Sequence, residues 1–167
     1  MKAAKLFSLA LFLCLGTLAF GQTKAMPSIA VKTLDGKSVD LKDYAGKEKI
    51  TIYSFWATWC SPCKRELDAI ADLYPEWVEK YDVQLVAVTI DTQQSLSQVK
   101  PMVASKGWDY VVLSDVNSAS LASLNFQTVP QMFVTDKSGN IIYSHGAYVP
   151  GDEFELEDKI KDWAKGK

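Results

Sequence analysis

Two cysteines separated by a serine and a proline, Cys60-Ser61-Pro62-Cys63, stand where a run of strand-forming residues meets a run with helical periodicity. No other stretch restricts the fold as much. Before the joint, Ile50-Thr51-Ile52-Tyr53-Ser54-Phe55 is mostly β-branched and aromatic, which suits a central strand buried on both faces. After it, Pro62 to Lys80 carries Leu67, Ile70, Ala71, Leu73 and Trp77 at helical spacing. Pro62 falls near the first helical turn, where a missing amide hydrogen costs little. Pro75 is expected to kink or restart the helix, because it lacks the donor and crowds the preceding turn.

The same alternation continues on either side. Ile29 to Leu34 and Ser38 to Leu41 flank Asp35-Gly36-Lys37 as an N-terminal hairpin, and Lys42 to Lys49 is a charged surface connection. Gln84 to Ile90 reads as an apolar strand. Ser95 to Lys106 reads as a helix ended by Gly107, although Pro101 weighs against it, and Tyr110 to Leu113 reads as a short strand. Ser118 to Leu124 fits a short helix. Thr128-Val129-Pro130 then leads into a last hairpin, Gln131 to Thr135 and Asn140 to His145, turned by Asp136-Lys137-Ser138-Gly139. Glu153 to Lys165 closes the chain as an amphipathic helix offering Phe154, Leu156, Ile160 and Trp163 for burial. The pattern predicts one α/β domain: a central, mostly parallel sheet with an antiparallel final hairpin, an N-terminal hairpin and helices on both faces.

The N-terminus is of another kind. Lys2 and Lys5 precede the uncharged stretch Leu6 to Phe20, and Ala19-Phe20-Gly21 supplies small residues for cleavage, so residues 1 to 21 read as an export signal and 22 to 167 as the domain. The apolar stretch is shorter than the roughly 20 residues of a spanning helix. Leu13 before Cys14 is too bulky for lipoprotein processing. Without Lys2 and Lys5 the chain carries about four more acidic than basic side chains, with no basic block to follow a nucleic-acid backbone. Export also removes Cys14, leaving Cys60 and Cys63 in a compartment where disulfides persist.

Such a pair could be a metal clip, a structural staple or a redox couple. A structural zinc site needs four ligands, and besides the two cysteines the domain offers a single histidine, His145. A staple over so short a loop removes only on the order of 2 kcal/mol of disorder from the unfolded chain. A redox couple uses what the other two leave idle: the helix N-terminus, Lys64 and Arg65 all favour a thiolate. In that reading Cys60 is the exposed nucleophile and Cys63, one turn inside the helix, is the buried thiol that resolves the mixed disulfide. No cofactor or metal is expected.

The run Phe55-Trp56-Ala57-Thr58-Trp59-Cys60-Ser61-Pro62-Cys63-Lys64-Arg65-Glu66 resembles the TlpA/ResA-type thiol-disulfide oxidoreductases of the thioredoxin superfamily, and the likeness extends over residues 28 to 165. It implies a thioredoxin-like fold and the redox-active pair Cys60 and Cys63. It also implies a cis bond between Val129 and Pro130 facing them, with the Val129 backbone pairing to an extended substrate. Thioredoxin has a buried aspartate where this chain has Ser54. Relatives of the ResA type carry a glutamate three residues after the second cysteine, and Glu66 matches it, either as the carboxylate that handles the Cys63 proton or as an exposed first-turn glutamate favoured by the helix dipole. Ser61 replaces an acidic residue that some relatives have between the cysteines. Trp59 is expected to contact substrate and Trp56 to pack. His145 is assigned no role.

The resemblance further implies a monomeric periplasmic reductase of disulfides in exported proteins, apocytochrome c among them, with a membrane thiol carrier as electron donor. A thiol oxidase or isomerase of the same fold is the alternative. A peroxiredoxin is disfavoured because its threonine and proline positions are filled by Ala57 and Tyr53. A Sco-type copper-binding assembly protein would use two cysteines and a distant histidine, but with the cysteines spaced by three residues.

Overall fold

The computed structural model describes residues 24 to 166. Residues 1 to 21, read above as an export signal, lie outside the described residues. Seven strands form one sheet in the order β2-β1-β5-β4-β3-β6-β7. They are β1 Ala30–Thr33, β2 Ser38–Asp40, β3 Ile50–Trp56, β4 Val83–Thr89, β5 Val111–Ser114, β6 Gln131–Thr135 and β7 Ile141–Gly146. Parallel pairing is confined to the centre, β3 with β4 and β4 with β5. Antiparallel neighbours flank it: β1 and β2 beyond β5, and the hairpin β6-β7 beyond β3. The Lys24–Met26 lead is tied back to the last hairpin, with the Met26 amide donating to the Gly139 carbonyl at 3.0 Å.

Strand alternation divides the apolar side chains into two cores. From β3, Ile50, Ile52 and Trp56 join Leu85 and Ala87 of β4 and Met132 and Val134 of β6 beneath the helices α1 Ser61–Tyr81 and α4 Asp152–Ala164. Val99 of α2 Val99–Lys106 belongs to this core too. On the opposite face Tyr53, Phe55, Val86, Val88 and Phe133 pack with Met26, Val31 and Leu41. Leu124 at the end of α3 Ala119–Leu124, and Phe126 beyond it, complete that face.

Three expectations are corrected. α1 does not restart at Pro75: the helix continues through it, with the proline on the exposed face and Leu67, Ile70 and Trp77 holding the helix to the sheet on either side of it. The helix expected from Ser95 begins as a 3-10 turn, Leu96–Gln98, and becomes α-helical at Val99. Pro101 therefore falls in the first α-helical turn, where no intrahelical acceptor awaits its amide. Phe154 points to solvent at 58% exposure, and Leu156 and Ile160 make the buried seam of α4. Among the described residues no helix is long and apolar enough to cross a membrane.

Candidate active site

The motif occupies the carboxyl end of β3, where Trp56 ends the strand and Cys60 caps α1. Cys60 and Cys63 form a disulfide with their Cα atoms 5.4 Å apart, and the Cys63 amide points at the Cys60 sulfur from 3.3 Å. Ser61 and Pro62 fill the opening positions of the helix. Cys60 sits at the positive end of α1, which favours a thiolate there once the pair is reduced. The expectation of an exposed Cys60 is corrected for the disulfide form: it is 4% exposed and Cys63 fully buried. The Cys60 sulfur faces the Cys63 amide, and its neighbours Trp59, 66% exposed, and Ser61 meet solvent. Trp56 is buried and packs edge-on against Trp108 at 5.1 Å between ring centroids.

The loop from Ala57 to Cys60 is fixed by a buried carboxylate. Asp91, just past β4, accepts from the Thr58 amide at 2.8 Å and from the Thr58 hydroxyl at 2.7 Å. Lys64 reaches back from α1 and donates to the Thr58 carbonyl at 2.8 Å. The Ile90 amide donates to the Trp56 carbonyl, continuing the parallel ladder of β3 and β4 to the edge of the loop. All the backbone polar groups of Thr58 are thus committed, and the cysteine that follows is held in one place.

Glu66 is buried, which overturns the reading of an exposed first-turn glutamate. It lies three residues beyond Cys63 on the same face of α1. Its carboxylate accepts from the Ser54 hydroxyl at 2.9 Å, so a side chain of β3 partners it inside the protein. Burial pushes the Glu66 carboxyl up to about 7, against the opposing pull of the Ser54 hydrogen bond and with a further push from the charge of Asp152. A carboxyl so placed can take up and release a proton near neutral pH.

The Val129–Pro130 peptide bond is cis, and Pro130 is buried. Because Gln131 pairs with Phe55 in the antiparallel register, Pro130 lies beside Trp56, at the end of the sheet from which the cysteine loop departs. Among the described residues no group of three or more His, Cys, Asp or Glu side chains is arranged to hold a metal ion. His145 is engaged with Asp152 at 3.1 Å.

The family model of the AhpC/TSA family matches residues 23 to 144. The chain belongs to this family. As a thioredoxin-like member of AhpC/TSA it is 32% identical, over 140 residues, to thiol-disulfide oxidoreductase ResA of Bacillus thuringiensis subsp. konkukian, a match spanning 83% of this chain and 76% of the relative. Against the ResA of Bacillus anthracis the identity is 32% over 119 residues, and the match spans 71% of this chain and 66% of that relative's length. The solution structure of a thioredoxin-like protein from Porphyromonas gingivalis superposes with a TM-score of 0.75 at 38% identity, covering 86% of this chain and 94% of that one. The Cys60–Cys63 pair of this AhpC/TSA chain is accordingly that of a thiol-disulfide oxidoreductase of the thioredoxin superfamily.

The fold brings Cys60, Cys63, Glu66, Trp59 and the cis Val129–Pro130 bond to one end of the sheet, where β3 ends and its antiparallel neighbour β6 begins. It adds residues that the sequence reading passed over. Asp91 had a signal, as the first charged residue after an apolar strand, at the end of a parallel sheet where sites form. Asp152 had none, and His145, noted as the single histidine, was assigned no role, because β7 and α4 come together at the Glu66 pocket only in the folded chain.

Proposed function

We propose that the chain is an exported reductase of protein disulfides, acting in the periplasm with electrons from a membrane thiol carrier and with apocytochrome c among its targets. The observation that carries this reading is the Cys60–Cys63 couple at the start of α1 with the buried carboxyl of Glu66 one turn behind Cys63. In the reduced protein the Cys60 thiolate attacks one sulfur of a substrate disulfide, forming a mixed disulfide and releasing the other sulfur as a thiolate. Cys63 then gives its proton to Glu66 and attacks the Cys60 sulfur. The bond to substrate breaks, its electron pair leaves on the substrate sulfur, and Cys60 and Cys63 are oxidised as the substrate is reduced. Exposed Trp59 and the Val129 backbone ahead of Pro130 would hold the extended substrate across the motif. The lysine-led apolar segment at residues 1 to 21 supports export.

The test is the reduction potential of the couple, titrated in thiol-disulfide buffers and read by the fluorescence of Trp56 and Trp59. A value at or below about −250 mV is expected for a reductase, whereas one near about −120 mV would make the protein a thiol oxidase. Alongside it, Cys60→Ala should abolish reduction of a protein disulfide, and undiminished turnover would remove Cys60 as nucleophile.

A further inference from the structure

Glu66 has a proton to exchange and almost no contact with bulk water, being 3% exposed. Glu66 lines one pocket, and the other polar residues lining it include His145, Tyr148, Asp152 and Glu153. The sheet register explains the meeting. Ser54 of β3 pairs with Met132 of β6, and Met132 pairs with His145 of β7, so the three side chains form a row on the α1 face of the sheet. Two strand spacings separate Ser54, the partner of Glu66, from His145, about 10 Å between backbones. Met132 stands in the middle of this row, and the pocket it helps to line has room for about one water molecule.

His145 is held as a fixed group. Its Nε2 lies 3.1 Å from an Asp152 oxygen that also accepts from the Val149 amide at 2.8 Å. Its ring stacks on Tyr143, with centroids 6.2 Å apart and planes 6° from parallel. The side chain is 35% exposed, so the imidazole borders the pocket and also reaches solvent. The other groups around Glu66 are acidic or neutral: Asp152 and Glu153 from the start of α4, the Glu153 carboxylate taken by the Tyr148 hydroxyl at 2.9 Å, the phenols of Tyr143 and Tyr110, and Ser54. No lysine or arginine lines the pocket. Imidazole is the base there that can accept a proton on one nitrogen and release one from the other to water, with Asp152 to balance the charge.

We propose that His145, oriented by Asp152, is the proton-exchange residue that connects Glu66 to solvent while the mixed disulfide is resolved. This deepens the thiol-disulfide reading above and rests on it. The Cys63 thiol proton moves to Glu66, and Cys63 attacks Cys60 with release of the substrate thiolate. The Glu66 proton then crosses the pocket through water to the imidazole, which returns one proton to solvent. The carboxylate is restored, and the substrate thiolate takes its proton from bulk water.

The experiment mixes the fully reduced protein with oxidised glutathione in a stopped-flow instrument and follows tryptophan fluorescence across neutral pH. It separates formation of the mixed disulfide from its resolution. His145→Ala should lower the rate of resolution relative to formation by about tenfold and flatten its pH profile. Imidazole added to the buffer should restore most of the loss in that variant and leave the wild type unmoved. His145→Gln, which keeps the size of the ring's neighbourhood, should show the same loss. Resolution at the wild-type rate in both variants overturns the proposal, and so does a loss in both that imidazole cannot restore. Failure of the wild type itself to form or resolve a mixed disulfide is a different result, and it would remove the reading of the couple.

Discussion

Glu66 carries a carboxyl that the fold holds against its own charge. Burial lifts it from an ordinary 4.5 to about 7, so the folded chain keeps this proton more tightly than the unfolded chain does. Below the ordinary carboxylate range both states are protonated and Glu66 costs nothing. As pH rises toward 7 the unfolded chain releases its proton first and stability falls, and above about 7 the loss is complete. Glu66→Gln keeps an acceptor for the Ser54 hydroxyl and removes the charge. The disulfide form of this variant should match the wild type at pH 4 and exceed it by about 3 kcal/mol at pH 8 in urea unfolding. A wild type whose stability is the same at both pH values relative to the variant would contradict this account of the burial. The identity of Glu66 as a candidate came from its place three residues after Cys63; its burial and its serine partner came from packing.

The element that places the cysteines is the loop between β3 and α1, and its rigidity depends on a neighbour in space. Asp91 takes the amide and hydroxyl of Thr58, and the Thr89 hydroxyl as well, inside the protein where no water replaces a lost acceptor. Asp91→Ala leaves these donors unpaired and should cost about 3 kcal/mol in chemical denaturation, whereas Asp91→Asn, which retains an acceptor oxygen, should cost less. A neutral Asp91→Ala would show that the loop is held from elsewhere. Helix positions were mostly legible from periodicity, and the departures have local causes. Pro75 is carried through α1 because it falls on the solvent side, where a helix can lose one hydrogen bond to water. Phe154 lies outside the buried seam because Leu156 and Ile160 already turn the other face of α4 to the core.

At the scale of the molecule, the central sheet separates two cores of different use. The face under α1 and α4 holds the disulfide, Glu66 and the pocket beside it; on the opposite face Met26, Leu41, Leu124 and Phe126 pack against side chains of β3, β4 and β6. Leu41 is fully buried there, and Leu41→Ala should cost about 3 kcal/mol while the potential of the Cys60–Cys63 couple stays unchanged. A shifted potential in that variant would show that the two faces are coupled through the sheet. The sequence by itself determined the strand-to-helix joint, the alternating elements and the cysteine pair, because periodicity and turn chemistry are local properties of the chain. Only the tertiary structure decided that β1 joins β5, that Asp91 grips Thr58, and that His145 and Asp152 face Glu66. Those meetings depend on which strands become neighbours, and sheet order is set by burial and long-range pairing rather than by any residue's immediate neighbours in sequence.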